Sequence, residues 1–232
     1  MQTGGKLLSI VVPMFNEEPT VGDIIRRLKA VLEATGFRFE VIVVDDFSRD
    51  HSVMIAGKES VKVVGLKHHF GKGNALRVGF AEARGDIIAT IDSDGSHLPE
   101  ELPLLLRPVA RGKADFVIGS RFLDNGEGTS KNINQAGNRL FTALIRILIV
   151  NPISDSQSGY RVMTRQVLQN MRLKSVGYEI ESEMLVKTAR KHFRIREVPI
   201  TSKQRTYGRS GVDPLVDGCK ILLSILSAYV RS

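Results

Sequence analysis

Residues 86–94 read Asp-Ile-Ile-Ala-Thr-Ile-Asp-Ser-Asp, an apolar run of strand-forming residues that ends in two aspartates. Runs of the same kind occur at 7–12, 39–44, 61–66 and 115–120. Helical spacing of apolar residues separates several of them, most clearly from the capping-box-like start at Thr20 to Gly36. This alternation predicts an α/β fold, a Rossmann-like and mainly parallel sheet with helices on both faces.

Beyond residue 122 the regular alternation gives way to longer polar stretches. Helices are predicted at 135–150, 178–192 and 214–231. A short apolar run lies at 160–163, and a strand is predicted at 194–200, at a sheet edge because of Pro199. No internal repeat or linker is evident. We therefore predict one domain over 1–232, with a first half of about 7–122 and a second of about 123–232.

The composition is ordinary for a globular protein, with 42% hydrophobic and 25% charged residues. It excludes a disordered chain, and the single cysteine, Cys219, excludes an intrachain disulfide and Cys-rich zinc sites. Lys and Arg number 33 against 25 Asp and Glu, a net charge of +8, which favours an anionic partner or merely serves solubility. Because the basic residues are scattered and aromatic residues are few, phosphate ligands or a membrane surface are favoured over nucleic acid.

The sequence contains no pattern typical of a targeting or membrane-spanning segment. Residues 1–6 lack the apolar stretch of a signal peptide. The apolar runs at 140–150 and 221–230 fall far short of the roughly 20 residues that a transmembrane helix needs. We therefore expect a cytoplasmic protein that is soluble or binds peripherally at the cytoplasmic face of a membrane.

In open parallel sheets, ligands bind beyond the carboxyl ends of the strands. This rule brings together residues 13–17, 45–46, 92–96 and 119–121. Asp92 and Asp94 follow a buried strand, where two carboxylates are costly unless they bind a cation or are well hydrogen bonded. Oxygen ligands completed by a substrate diphosphate suit Mg²⁺ or Mn²⁺, and Ser96 offers a further oxygen. The alternative for these aspartates is helix capping or a loop ion pair.

Two other polar segments leave a choice between ligand binding and structure. Asp45 and Asp46 could accept the ring N–H of a uracil or guanine, or could cap the helix that follows. Lys72, between Gly71 and Gly73, could contact a phosphate or could be a solvated lysine at a helix start. The Gly-Lys-Gly string itself departs from the P-loop pattern.

Several motifs in order resemble those of glycosyltransferase family 2. They lie at 11–17, 44–48, 71–73, 92–94 and 119–121. Further strings at 155–161, 177–184 and 205–210 are similar to the branch that contains dolichyl-phosphate mannose synthases and polyprenyl-phosphate glucosyltransferases. The resemblance runs from about Leu7 to Ser210. It implies the GT-A fold, in which a Rossmann-like nucleotide-binding sheet is fused to an acceptor-binding part.

The resemblance also implies roles for individual residues. The nucleotide-sugar would be bound by Pro13, Phe15, Glu17, Val44, Asp45, Asp46, Ile91, Asp92, Ser93, Asp94, Ser96 and Arg205. The metal, Mg²⁺ or Mn²⁺, would be held by Asp92, Asp94 and Ser96. The acceptor phosphate would contact Arg121, Asn138 and Arg139. Asp94 and Arg121 are the residues expected to be catalytic. One departure is Gly211, which stands where the family has a lysine, so that Arg209 is expected to supply part of that charge.

The implied reaction is inverting transfer of a hexose to a polyprenyl phosphate of the dolichyl type. The acceptor phosphate is anionic near neutral pH and is its own nucleophile, so no general base is strictly required. The mannose-synthase-like motifs favour mannose from GDP-mannose. The Gly-Lys-Gly-Asn-Ala string at 71–75 equally suits relatives that use UDP-glucose or UDP-N-acetylglucosamine. From another class, the alternative is a non-catalytic module that only binds a nucleotide-sugar.

A polyprenyl acceptor would bring the protein to a membrane surface, with or without a separate membrane-anchoring protein. The predicted helices at 135–150 and 214–230 are candidates for that contact, and the alternative is that both pack on the core. Glu181 and Glu183 could line the sugar pocket, or could lie on an exposed helix face.

Overall fold

The computed structural model of the protein describes residues 5–123, 133–149, 152–203, 207 and 216–230, with the side chains of the 133–149 helix described from 139 onward. The strands are β1 (Leu7–Met14), β2 (Arg38–Asp45), β3 (Lys62–Gly65), β4 (Ile87–Thr90), β5 (Phe116–Ser120), β6 (Arg161–Thr164) and β7 (Ile195–Pro199). The helices are α1 (Val21–Thr35), α2 (Ser52–Lys58), α3 (Lys72–Glu82), α4 (Leu102–Ala110), α5 (Ile133–Ile149), α6 (Arg165–Asn170), α7 (Ile180–Arg190) and α8 (Val216–Val230).

The described strands form one sheet in the order β3-β2-β1-β4-β6-β5-β7. All neighbouring pairs are parallel except those of β6, which runs antiparallel to both β4 and β5. The predicted α/β fold is confirmed, and β7 lies at the edge as Pro199 indicated. Because β6 is reversed, its first residues lie beside the last residues of β4, at the edge where ligands bind.

Two apolar clusters cover the two faces of the sheet, which confirms the prediction of helices on both sides. Side chains of α1, α2 and α4 pack on one face. Side chains of α3, α5, α6, α7 and α8 pack on the other. The second half of the chain therefore supplies β6 and β7 to the common sheet and a helical layer on one of its faces.

Helix α1 begins and ends where the pattern predicted, but its start is not held by the predicted cap. Gly36 closes the helix in the left-handed conformation, with φ of 74°. The Thr20 side chain makes no capping bond to the helix. Its hydroxyl donates instead to the carbonyl oxygen of Ser93, at 2.7 Å, on the loop after β4.

Two short helices were not predicted, and one further helical segment, at 99–111, is divided in two. Helices α2 and α6 have seven and six residues, too few to display a helical period. The segment 99–111 forms a 3₁₀ turn, Pro99–Glu101, followed by α4. None of the helices in the described ranges is long and apolar enough to cross a membrane.

Candidate active site

Ser93 joins the loops that follow β1 and β4. Its hydroxyl donates to the carbonyl oxygen of Pro13 at 2.7 Å, while its own carbonyl accepts from Thr20. The Ser93 side chain is buried, so it fixes the loops and leaves its backbone to face the edge of the sheet. Ile91 is fully buried in the apolar cluster beneath, and its side chain does not reach this edge.

Asp94 and Ser96 lie on one turn, where Asp94 Oδ1 accepts from the backbone N–H of Ser96 at 2.9 Å. Asp94 is half-buried and makes no ion pair with any residue that the structure describes. The chain at 201–203 runs alongside: Lys203 N–H donates to the carbonyl of Ser96 at 3.0 Å, and Ser202 pairs with His97. Residues 201–203, which lead toward Arg205, therefore lie beside the acidic turn.

Asp92 is paired with a lysine. Lys72 Nζ lies 2.7 Å from Asp92 Oδ1 and 2.8 Å from Glu181 Oε1. The side chains of Asp92, Lys72 and Glu181 are 21%, 15% and 3% exposed. Burial alone would raise the pKa of Asp92, but the charge and hydrogen bond of Lys72, together with smaller effects of neighbouring basic groups, outweigh it and lower that pKa. The prediction of a solvated Lys72 is wrong, and so is that of Glu181 on an exposed helix face.

Gly159, just before β6, leaves the space in which this ion pair sits. A Cβ atom at Gly159 would lie 2.6 Å from Asp92 Oδ2 and 2.7 Å from Lys72 Nζ. Both distances are shorter than the contact distance between a carbon atom and an oxygen or nitrogen atom, so the two side chains would have to move. A side chain at position 159 would therefore have to displace two charged side chains that approach the backbone there.

Glu183 has a structural role that separates it from Glu181. Its carboxylate accepts the backbone N–H groups of Lys174 and Ser175 and pairs with Lys187 Nζ at 2.6 Å. Burial raises the pKa of Glu183, but these bonds outweigh it and the pKa lies below its ordinary value. The exposed-face alternative is wrong for this residue as well, since Glu183 is buried.

Arg121 directly follows β5 and forms an ion pair with Asp155. Nε and Nη2 of Arg121 donate to Oδ2 and Oδ1 of Asp155 at 2.7 and 2.9 Å. Asp155 is fully buried and is held from behind, because its backbone N–H donates to Glu197 at 2.8 Å. Burial lowers the pKa of Arg121, but the charge and hydrogen bonds of Asp155, together with smaller effects of Asp92 and Glu181, outweigh it and raise that pKa. Arg121 also lies close enough to Asp92 to lower the pKa of that carboxyl.

Arg161 is a buried cation behind the site that the sequence patterns did not single out. Its guanidinium donates to the carbonyl oxygens of Ser158, Glu181 and Ser156 at 2.8, 2.6 and 2.7 Å. Burial lowers the pKa of Arg161 to about 10. These bonds fasten the first turn of α7, which carries Glu181, to the segment before β6. The only signal in the sequence was the position of Arg161 at the end of the 155–161 string.

His97 is a second buried polar residue that was not predicted. Neither ring nitrogen has a hydrogen-bond partner among the described residues, and Nδ1 lies 3.8 Å from Asp92 Oδ2. Burial lowers the pKa of His97, although the charge of Asp92 opposes this effect. A neutral imidazole therefore packs between Asp92 and the ring of Tyr160.

Asp45 and Asp46 both hold loops at the end of β2. Asp46 accepts the backbone N–H groups of Phe70 and Gly71 at 2.8 and 2.7 Å and lies 2.8 Å from His69 Nδ1. Asp45 accepts the backbone N–H of the loop residue three positions later. Both carboxylates are buried, as is Val44 before them. These contacts give both aspartates a structural role at the expected nucleoside end of the site.

Aromatic rings gather at the same end. Phe15 stacks on His69, with ring centroids 4.1 Å apart and planes inclined by 24°. Phe47 and Phe70 lie on either side of His68. Three of these rings, Phe15, Phe47 and Phe70, are partly exposed, which suits stacking against a planar base.

Glu17 lies at the mouth of a cleft of about 580 Å³. Its backbone N–H donates to Ser52 at 2.8 Å, and its carboxylate accepts from Thr20. The cleft is also lined by Asn16, Glu18, Pro19, Asp50, Ile55 and Tyr207. Tyr207, two positions after Arg205, therefore lies near the end of β1.

Three predicted ligand-binding residues lie at the edge of the described ranges or outside them. Arg139 is exposed on α5. The side chain of Asn138 and the whole of Arg205 lie outside the described residues, as do Arg209 and Gly211.

The sequence model described as "Glycosyl transferase family 2" matches residues 9–172, more than half of the chain. The chain belongs to glycosyltransferase family 2. The matched range contains Asp92, Asp94 and Arg121, charged residues that follow strands β4 and β5 at the carboxyl edge of the sheet. The resemblance of the motifs to this family is therefore confirmed, and with it the prediction of a glycosyltransferase.

Curated relatives of this family 2 chain include proteins named as a hexosyltransferase and a mannosyltransferase. It is 35% identical over 215 residues to the low-salt glycan biosynthesis hexosyltransferase Agl6 of Haloferax volcanii, covering 91% of this chain and 51% of Agl6. It is 29% identical over 212 residues to the dolichol-phosphate mannosyltransferase of Pyrococcus furiosus, covering 88% of this chain and 58% of that protein. The chain thus spans little more than half the length of these two relatives.

Solved structures of similar fold include glucosyl-3-phosphoglycerate synthase from Mycobacterium tuberculosis in complex with Mn²⁺, UDP and phosphoglyceric acid. The TM-score is 0.80 at 24% identity, covering 98% of this chain and 80% of that one. A crystal structure of a mycobacterial protein gives a TM-score of 0.82, also at 24% identity. This likeness confirms the GT-A fold for the family 2 chain.

The donor set of this glycosyltransferase fits a divalent ion held jointly with a substrate. Within the described ranges, no three His, Cys, Asp or Glu side chains are grouped to hold a metal by themselves. Asp94 offers a half-buried carboxylate without an ion-pair partner, and Ser96 offers a hydroxyl on the same turn. Mg²⁺ is commonly bound by one or two carboxylates with the rest of its shell from water and substrate phosphates. The residues present therefore suit Mg²⁺ or Mn²⁺ with a bound diphosphate.

Proposed function

We propose that this chain transfers a hexose, mannose from GDP-mannose being the first candidate, to a polyprenyl phosphate with inversion at the anomeric carbon. The observation that carries the proposal is that Asp94, on the turn after β4, and Arg121, directly after β5, lie at the same edge of the sheet and both lie close enough to His97 to affect its pKa. A carboxylate that suits a metal–diphosphate complex thus lies near a guanidinium that suits an acceptor phosphate. The dolichol-phosphate mannosyltransferase among its relatives supports the acceptor class.

In this proposal Asp94 and Ser96 would hold the divalent ion. That ion would supply charge neutralisation to the diphosphate leaving group. Arg121, fixed by two bonds to Asp155, would orient the acceptor phosphate for in-line attack. Because Asp155 is fully buried and held by Glu197, the guanidinium has little freedom to turn away. Lys72 and Glu181 would border the transferred sugar, since Lys72 pairs with both Asp92 and Glu181.

The acceptor also requires access to lipid, and two helices offer an apolar surface for it. Ile147 on α5 and Leu223 and Val230 on α8 are 76%, 66% and 78% exposed. Burying such side chains at a membrane interface is favourable in proportion to their apolar area. We propose that α5 and α8 contact the cytoplasmic face of a membrane, with or without an anchoring protein. The core alternative holds for Ile145 and Ile225, which are buried.

UDP-sugars are the alternative class of donor because of the segment that contains Lys72. The Gly-Lys-Gly-Asn-Ala string that carries it also resembles relatives that use UDP-glucose or UDP-N-acetylglucosamine. The proposal of transfer therefore covers three donors. The non-catalytic module is disfavoured because Asp94 is left without an ion-pair partner among the described residues while the other charges of the site are paired.

The test offers each of the three nucleotide-sugars with Mg²⁺ or Mn²⁺ and a short polyprenyl phosphate, and identifies the lipid product by mass spectrometry. The corresponding polyprenol without phosphate is the control acceptor, and Asp94→Asn is the control protein. One donor should give a glycosylated lipid phosphate with the wild type alone. Binding of a nucleotide-sugar without product from any donor would support the non-catalytic module and reject the proposal.

A further inference from the structure

Two segments far apart in the sequence are packed backbone to backbone beside the site. A Cβ atom at Gly71 would lie 2.7 Å from the carbonyl oxygen of Val176, and one at Gly73 would lie 2.7 Å from that of Gly177. The backbone N–H of Asn74 donates to Val176 at 3.0 Å. The glycines on either side of Lys72 thus let the start of α3 dock on the residues that precede α7.

This docking carries Lys72 to Glu181, on the first turn of α7. Lys72 Nζ lies between Asp92 and Glu181, at 2.7 and 2.8 Å. Both carboxylate oxygens of Glu181 are buried, and Lys72 is the one described group within bonding reach of them. Lys72 is therefore the counter-ion of two carboxylates at once, and it is itself nearly inaccessible to solvent.

Like charges held this close in a buried site repel each other unless a cation lies between them. Lys72 Nζ lies within 2.8 Å of a carboxylate oxygen of both Asp92 and Glu181 and supplies that cation. The other basic groups near Asp92 are Arg121, which is paired with Asp155, and His97, whose Nδ1 lies 3.8 Å from Asp92 Oδ2. Without Lys72, the pair of carboxylates would have the charge and the oxygen atoms that a divalent ion needs.

We propose that Lys72 is a built-in cation that fills the place between Asp92 and Glu181, so that the site takes one divalent ion, on Asp94, and not two. Asp92 is then held away from metal ligation, and Lys72 acts as a positioning residue for it. The inference rests on the proposed function only for the expectation that a divalent ion binds. Its test measures ion binding, so it can fail while transfer is observed, and can succeed while no transfer is found.

The first arm counts bound Mn²⁺ by calorimetry and electron paramagnetic resonance, alone and with UDP or GDP. Lys72→Met removes the charge while keeping most of the side-chain volume. The wild type should bind one Mn²⁺ per chain, and Lys72→Met should bind two. Lys72→Arg should behave as the wild type does. The matched control is Lys62→Met, which removes an exposed lysine from its pair with Glu82.

The double variant Lys72→Met with Glu181→Gln should return to one ion per chain, because one of the two carboxylates is then neutral. The double variant also provides a test if Lys72→Met alone does not fold, because the double variant has no pair of carboxylates without a cation. An unfolded single variant that the second change restores supports the role of Lys72 as counter-ion. A Lys72→Met protein that folds and binds one Mn²⁺ with the affinity of the wild type would overturn the proposal.

The second arm leaves Lys72 in place and compares the two aspartates. Asp94→Asn should weaken Mn²⁺ binding by at least about tenfold, since even groups that only support a ligand typically contribute 10–100-fold. Asp92→Asn should change Mn²⁺ affinity by less than about threefold, because its carboxylate is paired with Lys72 and is not a ligand. Equal losses in the two variants would make Asp92 a metal ligand and reject the inference.

Discussion

Arg121 and Asp155 form a two-bond pair at the end of β5, in which a partly exposed guanidinium is fixed by a fully buried carboxylate. Such a pair sets the plane of the guanidinium as well as its position. Lysine cannot reproduce either feature, because its ammonium group is a single charge on a flexible stem.

Arg121→Lys should therefore lower kcat by about 100-fold, the scale on which loss of one oriented electrostatic group affects an enzyme. Nucleotide affinity should change much less, because Arg121 is proposed to act on the acceptor. The measurements are steady-state kinetics with polyprenyl phosphate and calorimetric titration with the nucleotide. If nucleotide affinity falls by the same factor as kcat, Arg121 belongs to the donor side.

A matched control for this substitution exists on the opposite side of the fold. Arg194 makes the same two-bond contact with Asp115, at 2.9 and 2.7 Å, but the pair is exposed. Arg194→Lys should leave kcat unchanged and should alter stability by less than about 1 kcal/mol, as is usual for exposed pairs.

Gly159→Ala should disrupt the ion pair of Asp92 and Lys72, because the new methyl group would fall within 3 Å of both side chains. We expect donor binding to weaken by about tenfold or more and stability to fall by about 1–3 kcal/mol, the usual cost of overpacking. Calorimetric donor titration and urea unfolding measure the two effects. Gly57→Ala is the control, since its Cβ would meet nothing within 4 Å. A Gly159→Ala protein that matches wild type in donor affinity would contradict the close packing described.

The pH dependence of the free energy of unfolding should reflect the ionisation of Glu183. Its pKa is lowered in the folded protein, so its contribution is present in full above the unfolded-state value of about 4.5 and is lost as pH falls through the folded-state value. Glu183→Gln should cost about 1.5–3 kcal/mol at pH 7, the range for hydrogen bonds to a charged group. The cost should shrink in urea unfolding below pH 4.5. Glu82→Gln, at an exposed pair with Lys62, should show neither effect. A Glu183→Gln cost that is the same at pH 7 and at acid pH would contradict this role.

The sequence predicted those parts of the fold that depend on local pattern. Helix α1 and strands β1 and β2 repeat their apolar period over 8 to 15 residues, and the structure differs only at their ends. The acidic turn was found because polar residues after a buried strand are unusual. The reversed direction of β6 was not predicted, since its four residues carry no information about direction.

The ionic partners within the site could not be predicted either. Asp92 was expected at a metal, but its distance to Lys72 depends on how α3 docks against residues 175–177. Similarly, Glu181 and Glu183 lie two positions apart on α7, and the pattern treats them alike. Only the packing shows that Glu183 binds the backbone at 174–175 while Glu181 faces Lys72. Pairings of this kind are tertiary, and spacing along the chain does not encode them.

The exposed apolar side chains of α5 and α8 yield the last prediction. Leu223→Ser with Val230→Ser should weaken binding to vesicles that contain anionic lipid, because each buried leucine or valine is worth about 1.5–3 kcal/mol at an apolar interface. The free energy of unfolding should change by less than about 0.5 kcal/mol, as is typical of exposed positions. Vesicle sedimentation and urea unfolding are the two measurements. Met54→Ser is the control, since Met54 is also an exposed apolar residue, at 53%, and lies on α2, across the sheet from α8. Vesicle binding that the double substitution leaves intact, or that Met54→Ser weakens equally, would place the membrane contact elsewhere on the surface.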